Sequence, residues 1–155
     1  MLIAIKPKDF NRNYLMLSEK TKNNIIDDGY FHRLYYSDEY GTVKGFFLDF
    51  NLRNVHVERY FNKLKCNFNK NENSKIIGFI KIIEQIVLDI LPYKENKTPV
   101  YRLSEQLDNN FIKIFQSDNY KNYKNENINL LLKISGVWSN EKQYGITFRL
   151  FFIRQ

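Results

Sequence analysis

Arg149 and Phe151 stand two residues apart in the alternating run Tyr144-Gly145-Ile146-Thr147-Phe148-Arg149-Leu150-Phe151-Phe152. In a β-strand that spacing puts both on one face. There a guanidinium can hold a phosphate while the ring beside it stacks a base. A preceding run, Leu130-Leu131-Leu132-Lys133-Ile134-Ser135-Gly136-Val137-Trp138, adds Lys133 in the same alternation. With Ser139 to Gln143 between them, the two runs read as a long hairpin. Leu132, Ile134, Ile146, Phe148 and Leu150 share the expected core face, and Lys133, Ser135, Val137, Thr147, Arg149 and Phe151 are expected to look outward.

A third alternating run, Gly29 to Ser37, divides into Tyr30, His32, Leu34 and Tyr36 on one face and Phe31, Arg33 and Tyr35 on the other. The Arg33 face is the binding candidate, because an unpaired guanidinium is costly to bury. The next run sets Lys44, Phe46, Leu48 and Phe50 against Val43, Gly45, Phe47 and Asp49. Both sets contain rings, so its buried face stays open. The stretch Tyr120-Lys121-Asn122-Tyr123-Lys124 interleaves rings and lysines, as a clamp across a bound strand would, or as a solvated loop would. The candidate binding set is therefore Phe31, Arg33, Tyr35, Lys44, Tyr120, Lys121, Tyr123, Lys133, Arg149 and Phe151. Lysine and arginine neutralise phosphates and give salt-dependent affinity. Each stacked base contributes about 1–3 kcal/mol. The competing reading is packing, since rings in strands more often fill cores and cross-strand pairs.

Signals for catalysis are few. No phosphate-cradling glycine loop or G-x-S-x-G elbow occurs. His32 and His56 are far apart, and no Cys, His and acid cluster has metal-ligand spacing. Cys66 paired with a histidine would make a nucleophile, but a lone cysteine more often serves as a small buried hydrophobe. Asp27-Asp28 and Asp38-Glu39 are paired acids at turn signals, which fits solvated turn residues. The expectation is a non-enzyme with no cofactor and no metal.

The elements that would position these residues can be read in outline. Asp38-Glu39-Tyr40-Gly41 is a hairpin turn between the strands Gly29–Ser37 and Thr42–Leu52. Asn13 to Ser18 is a weak first strand, and Val55 to Phe61 is ambiguous between strand and helical turn. Ser74 as N-cap, isoleucines through Ile90, and Pro92 as terminator predict one long helix. Lys75, Lys81, Glu84, Gln85 and Asp89 leave it only a narrow polar stripe. Val100 to Leu103 and Phe111 to Phe115 are short strand candidates. Asn67 to Asn73 and Ser117 to Asn127 read as surface loops.

Length and composition set the bounds. The 155 residues fit a single domain over 1–155. A net charge of +7 raises the odds of an anionic partner, nucleic acid first. That argument is discounted by codon bias: Asn occurs 20 times, Lys 17 and Ile 17, against a single Ala. Drift toward A/T-rich codons explains abundance, so position must carry the argument. No apolar run is long enough for a membrane span. The start Met1-Leu2-Ile3-Ala4-Ile5-Lys6-Pro7 lacks signal-peptide features, and one cysteine suits a reducing compartment, so a cytoplasmic location is expected.

The segments Lys133-Ile134-Ser135-Gly136-Val137-Trp138 and Tyr144-Gly145-Ile146-Thr147-Phe148-Arg149 resemble the C-terminal strand pair of small OB-fold single-stranded DNA-binding proteins of large DNA viruses. The A/T bias turns the resemblance toward replicons such as the cytoplasmic linear killer plasmids of yeasts. It covers the hairpin alone, and no individual binding residue is taken from it. It implies a replication role, coating displaced single strands during protein-primed copying.

The expected fold is mainly β with one long helix, as an OB-like five-stranded Greek-key barrel with the helix between its third and fourth strands. The alternative is an α+β antiparallel sheet with a packed helix. The expected function is binding of single-stranded DNA with little sequence preference, with RNA as the variant ligand and replication proteins as partners. A homo-oligomer is expected, because the apolar helix from Ser74 to Leu91 and the long hairpin offer more apolar surface than one small barrel easily covers. The rivals are a structural or assembly protein whose aromatic strands form protein interfaces, and a small enzyme whose site the sequence does not advertise.

Overall fold

The computed structural model describes residues 4–23, 25, 28–114, 124 and 126–153. Short strands β1 (Leu15–Leu17) and β2 (Thr21–Asn23) lead into β3 (Gly29–Asp38), which turns through Glu39 and Tyr40 into β4 (Gly41–Lys44). The long β5 (Phe46–Tyr60) and β6 (Lys63–Asn67) form a second hairpin. Helix α1 (Ser74–Asp89), β7 (Thr98–Val100), helix α2 (Arg102–Asp108) and β8 (Phe111–Ile114) follow, and β9 (Glu126–Ser139) and β10 (Gln143–Phe152) make the C-terminal hairpin.

Strand β9 organises the sheet. One of its edges takes β10 along nearly its whole length. The other is shared: Gly136–Ser139 pairs with Tyr30–Arg33 of β3, and the earlier part pairs with β5 from Phe46 to Val55. β5 pairs with β6, and β6 with β8. All these pairings are antiparallel, while β7 adds to β10 in parallel. The order β8-β6-β5-β9-β10 therefore leaves β8 and β10 at opposite ends, running the same way. No pairing joins them among the described residues, so the sheet is open and a closed five-stranded barrel is not formed.

Local chemistry explains how the chain passes from one pairing to the next within this sheet. Gly45 has φ +87, a conformation costly for residues with a Cβ. It lies between β4, which pairs with β3, and β5, which pairs with β9. Alternation is broken there: Lys44 is exposed whereas Phe46, Leu48, Phe50 and Leu52 are buried. This settles the face left open by the sequence and separates Lys44 from the set with which it alternates. A second break follows at Asn54 (φ 52), where the register shifts and Val55 and Val57 take over the core positions. The ambiguous segment Val55 to Phe61 is thus strand as far as Tyr60.

β9 has its own bulge. Ile134 opposes Phe148 and Gly136 opposes Thr147, which leaves Ser135 as the extra residue. The phase flips after it, so Val137, expected to face outward, has 0% of its surface exposed. The hairpin's other expected core residues, Leu132, Ile134, Ile146 and Leu150, are buried, and Phe148 packs at the core margin.

α1 begins at Ser74, but its N-cap is Asn73 rather than Ser74. The Asn73 side chain accepts from the Arg53 N–H (2.8 Å) and donates to the Arg53 and Asn69 carbonyls (3.2 and 2.9 Å), which ties the helix start to the β5 irregularity. Ile77, Ile80, Ile83, Val87 and Leu88 are buried. Each such burial is worth about 1.5–3 kcal/mol. The helix is therefore covered largely by its own chain, with Ile82 at 54% exposure the exception.

Glu84, expected in the polar stripe, is also buried. It accepts from the Leu103 and Ser104 N–H groups (3.1 and 2.8 Å) and from the Ser104 hydroxyl. A carboxylate from one helix thus satisfies the exposed amides at the start of another, α2. The sequence suggests a strand over Val100 to Leu103, but β7 ends at Val100 and α2 starts at Arg102, so two α-helices lie among the described residues. The stretch Phe111 to Phe115 is strand from Phe111 to Ile114, and Lys63 to Asn67 is a strand that the sequence reading did not identify.

Candidate nucleic-acid interface

Residues directly opposite in a sheet share a face. Phe31 lies opposite Trp138, and Trp138 opposite Gly145. Arg33 lies opposite Gly136, and Gly136 opposite Thr147. Thr147, Arg149 and Phe151 alternate on β10, and Arg149 lies opposite Lys133, which lies opposite Phe47 of β5. The registers therefore bring Phe31, Arg33, Lys133, Arg149 and Phe151 onto one face of a continuous β3-β9-β10 surface. The Arg33 guanidinium stands 5.8 Å from the Phe31 ring centre, and the Lys133 Nζ stands 5.7 Å from that of Phe47. Tyr35 opposes Lys44 beyond the bend, so this pair forms an extension of the surface beside β4. Tyr120, Lys121 and Tyr123 lie outside the described residues.

Glycine makes this surface possible. A Cβ on Gly136 would lie 2.1 Å from the His32 carbonyl oxygen and 2.6 Å from the Phe31 ring, and one on Gly145 would lie 2.8 Å from the Trp138 ring. Phe31 and Trp138 therefore lie flat over backbone that has no side chain.

The open end of the sheet supplies a groove. A cavity of about 270 Å³ between β10 and the β8–α2 side is lined by Lys63, Arg102, Lys113 and Arg149 together with Trp138 and Thr147, and no carboxylate lines it among the described residues. Arg149 belongs to both the groove and the sheet face. Two of the four cations come from elements the sequence did not resolve, Lys63 from β6 and Arg102 from α2, while Lys113 comes from β8, which the sequence suggested as a strand. Glu84 positions Arg102 indirectly, by holding the first amides of α2.

Beside the groove lies an aromatic–basic cluster. On the outer face of β6 and β8, Lys65 opposes Lys113, while Leu64, Cys66, Ile112 and Ile114 fill the core. The Lys65 Nζ is 5.6 Å from the Tyr60 ring centre and 4.7 Å from that of Phe111, and the Lys113 Nζ is 5.6 Å from Tyr60. Glu58, opposite Lys65, binds the Asn67 side chain at 3.1 Å. Lys63-Leu64-Lys65-Cys66 and Phe111-Ile112-Lys113-Ile114 both alternate, and that period was the signal available in the sequence. In Lys63 to Cys66 it was masked by the Asn- and Lys-rich residues around it, whereas Phe111 to Phe115 was read as a strand.

The residues weighed for catalysis are placed apart. Cys66 points into the core opposite Val57, and burial pushes its thiol pKa well up, away from the reactive thiolate. His56 shares the outer face with Asn67, so it does not reach Cys66. The buried His32 holds the Ser18 carbonyl through Nδ1 at 2.9 Å. No protein-family model, characterised protein or solved structure compared with this chain matched it.

Proposed function

We propose that this protein binds single-stranded nucleic acid, DNA foremost, with little sequence preference. The observation that carries the reading is the groove in which Lys63, Arg102, Lys113 and Arg149 converge beside Trp138, with no acid among the described residues that line it. Single-strand binding without sequence preference uses this combination of basic groove and stacking rings. The groove continues onto the Arg33–Lys133–Arg149 face on one side and the Lys65–Phe111 cluster on the other, which supports a strand path longer than one nucleotide.

The OB-like reading belongs to the same proposal. Counted from β5, the order β8-β6-β5-β9-β10 corresponds to a five-stranded Greek-key sheet left open between its third and fifth strands. Oligonucleotides lie on the face of strands two and three in such barrels. Those strands are β6 and β8 here, and they carry Lys63, Lys65, Phe111 and Lys113. The helices fall between the second and third strands, not between the third and fourth. Coating of displaced strands during replication is proposed from the hairpin resemblance together with this surface.

A mobility-shift titration with labelled oligo-dT, matching RNA and matching duplex, each at low and moderate salt, tests the reading. Oligo-dT should bind most tightly and lose affinity as salt rises. Absence of binding to all three at micromolar protein and low salt would remove the proposal. Equal affinity for duplex and oligo-dT would reduce it to nonspecific charge attraction.

A further inference from the structure

The β5–β6 hairpin closes with Tyr60 opposite Lys63, so Phe61 and Asn62 form its two-residue loop. Phe61 takes φ 54. Tight hairpins ordinarily give such positions to Gly, Asn or Asp, because a Cβ is unfavourable there. The Phe61 ring is also 84% exposed, so it contributes almost nothing to the core. Its ring contact is edge-on, with Tyr60, at 4.9 Å and 82°. An aromatic residue in a glycine-like conformation, held out in water, serves neither the turn nor the packing.

Its surroundings are specific. Tyr60 has the Lys65 and Lys113 ammonium groups over its ring, and Lys63, at the end of the same loop, lines the basic groove. A flat, largely exposed apolar ring thus stands two residues from Lys63, which lines the phosphate-attracting groove. We propose that Phe61 is a base-stacking residue that makes the interface select unpaired strands over duplex. The inference rests on the nucleic-acid reading above. An unpaired base can leave its neighbours and lie on Phe61 while its phosphates reach Lys63 and Lys113. A base in a duplex is already stacked on both sides and offers no free face.

The test uses the full chain with Phe61→Gly and Phe61→Trp, titrated against labelled oligo-dT and a labelled duplex of equal length at low salt, with thermal melting measured alongside. Phe61→Gly should melt no lower than wild type, because glycine suits the turn. It should lose about 5- to 150-fold in oligo-dT affinity, the loss that about 1–3 kcal/mol for one stacked base gives, and bind duplex as before. Phe61→Trp should keep oligo-dT affinity. If Phe61→Gly is poorly folded, Phe61→Asn, which also tolerates positive φ, takes its place with the same expectations. Oligo-dT affinity unchanged in a wild type that binds well, or an equal loss for duplex and single strand, would overturn the role of Phe61 and leave the nucleic-acid reading intact. A wild type that binds neither probe would overturn both.

Discussion

Gly136 shows how tightly single residues are held. An added methyl group would lie 2.1 Å from a backbone oxygen of β3, and backbone in a paired strand cannot yield as a flexible side chain can. Gly136→Ala should therefore destabilise by about 3 kcal/mol, at the upper end of overpacking costs, measured as a lower urea midpoint. Gly145→Ala meets only the Trp138 ring, so it should cost less and shift the emission of the single tryptophan. Cys66 makes a different prediction. Its thiol is buried and its pKa raised, so a thiol reagent at neutral pH should react only as fast as the chain unfolds. Rapid labelling of folded protein would contradict the placement of β6. In the groove, Arg102→Gln with Lys113→Gln should weaken oligo-dT binding and flatten its salt dependence by about 0.7 log units per lost phosphate contact, while leaving the melting temperature nearly unchanged.

At the scale of elements, α2 depends on α1 through one carboxylate. Glu84→Ala would leave the Leu103 and Ser104 amides without their acceptor in a buried place. The expected cost is about 3 kcal/mol, with Glu84→Gln costing less because one oxygen remains to accept. The helix carries Arg102 and Gln106 into the groove, so Glu84→Ala should also weaken oligo-dT binding in protein that is still folded. Nothing in the spacing of Glu84 marks it as buried, since its partner amides lie in a segment read as strand.

The same contrast runs through the elements. The C-terminal hairpin, the Asp38–Gly41 turn and the isoleucine-rich helix were legible because alternation, turn chemistry and length each act locally. The breaks at Gly45, Asn54 and Ser135 were not, because each depends on which strand lies alongside. Val137 was misassigned and the buried face of Phe46 to Leu52 was left open for that reason. Of the site, the Arg33, Lys133, Arg149 and Phe151 face was legible from period alone. The groove was not, since Lys63, Arg102 and Lys113 come together only when β8 and α2 fold back beside β10.

For the molecule as a whole, the excess of cations gains meaning from where it gathers. The chain carries 24 Lys and Arg against 17 Asp and Glu, which codon drift alone could produce. Drift does not explain four cations on one groove without a carboxylate among its described lining residues, nor rings on both sides of it. No helix among the described residues is long and apolar enough to cross a membrane. The central claim is that a single strand occupies this groove, and Trp138, the one tryptophan, lines it. The most direct measurement is the intrinsic emission of Trp138 during titration with unlabelled oligo-dT across a salt series. The account predicts a saturable change in emission at micromolar protein, with affinity falling at a log–log slope of about −3, as four phosphate contacts to a single strand would give. Emission that stays constant through saturating oligo-dT at low salt would contradict it.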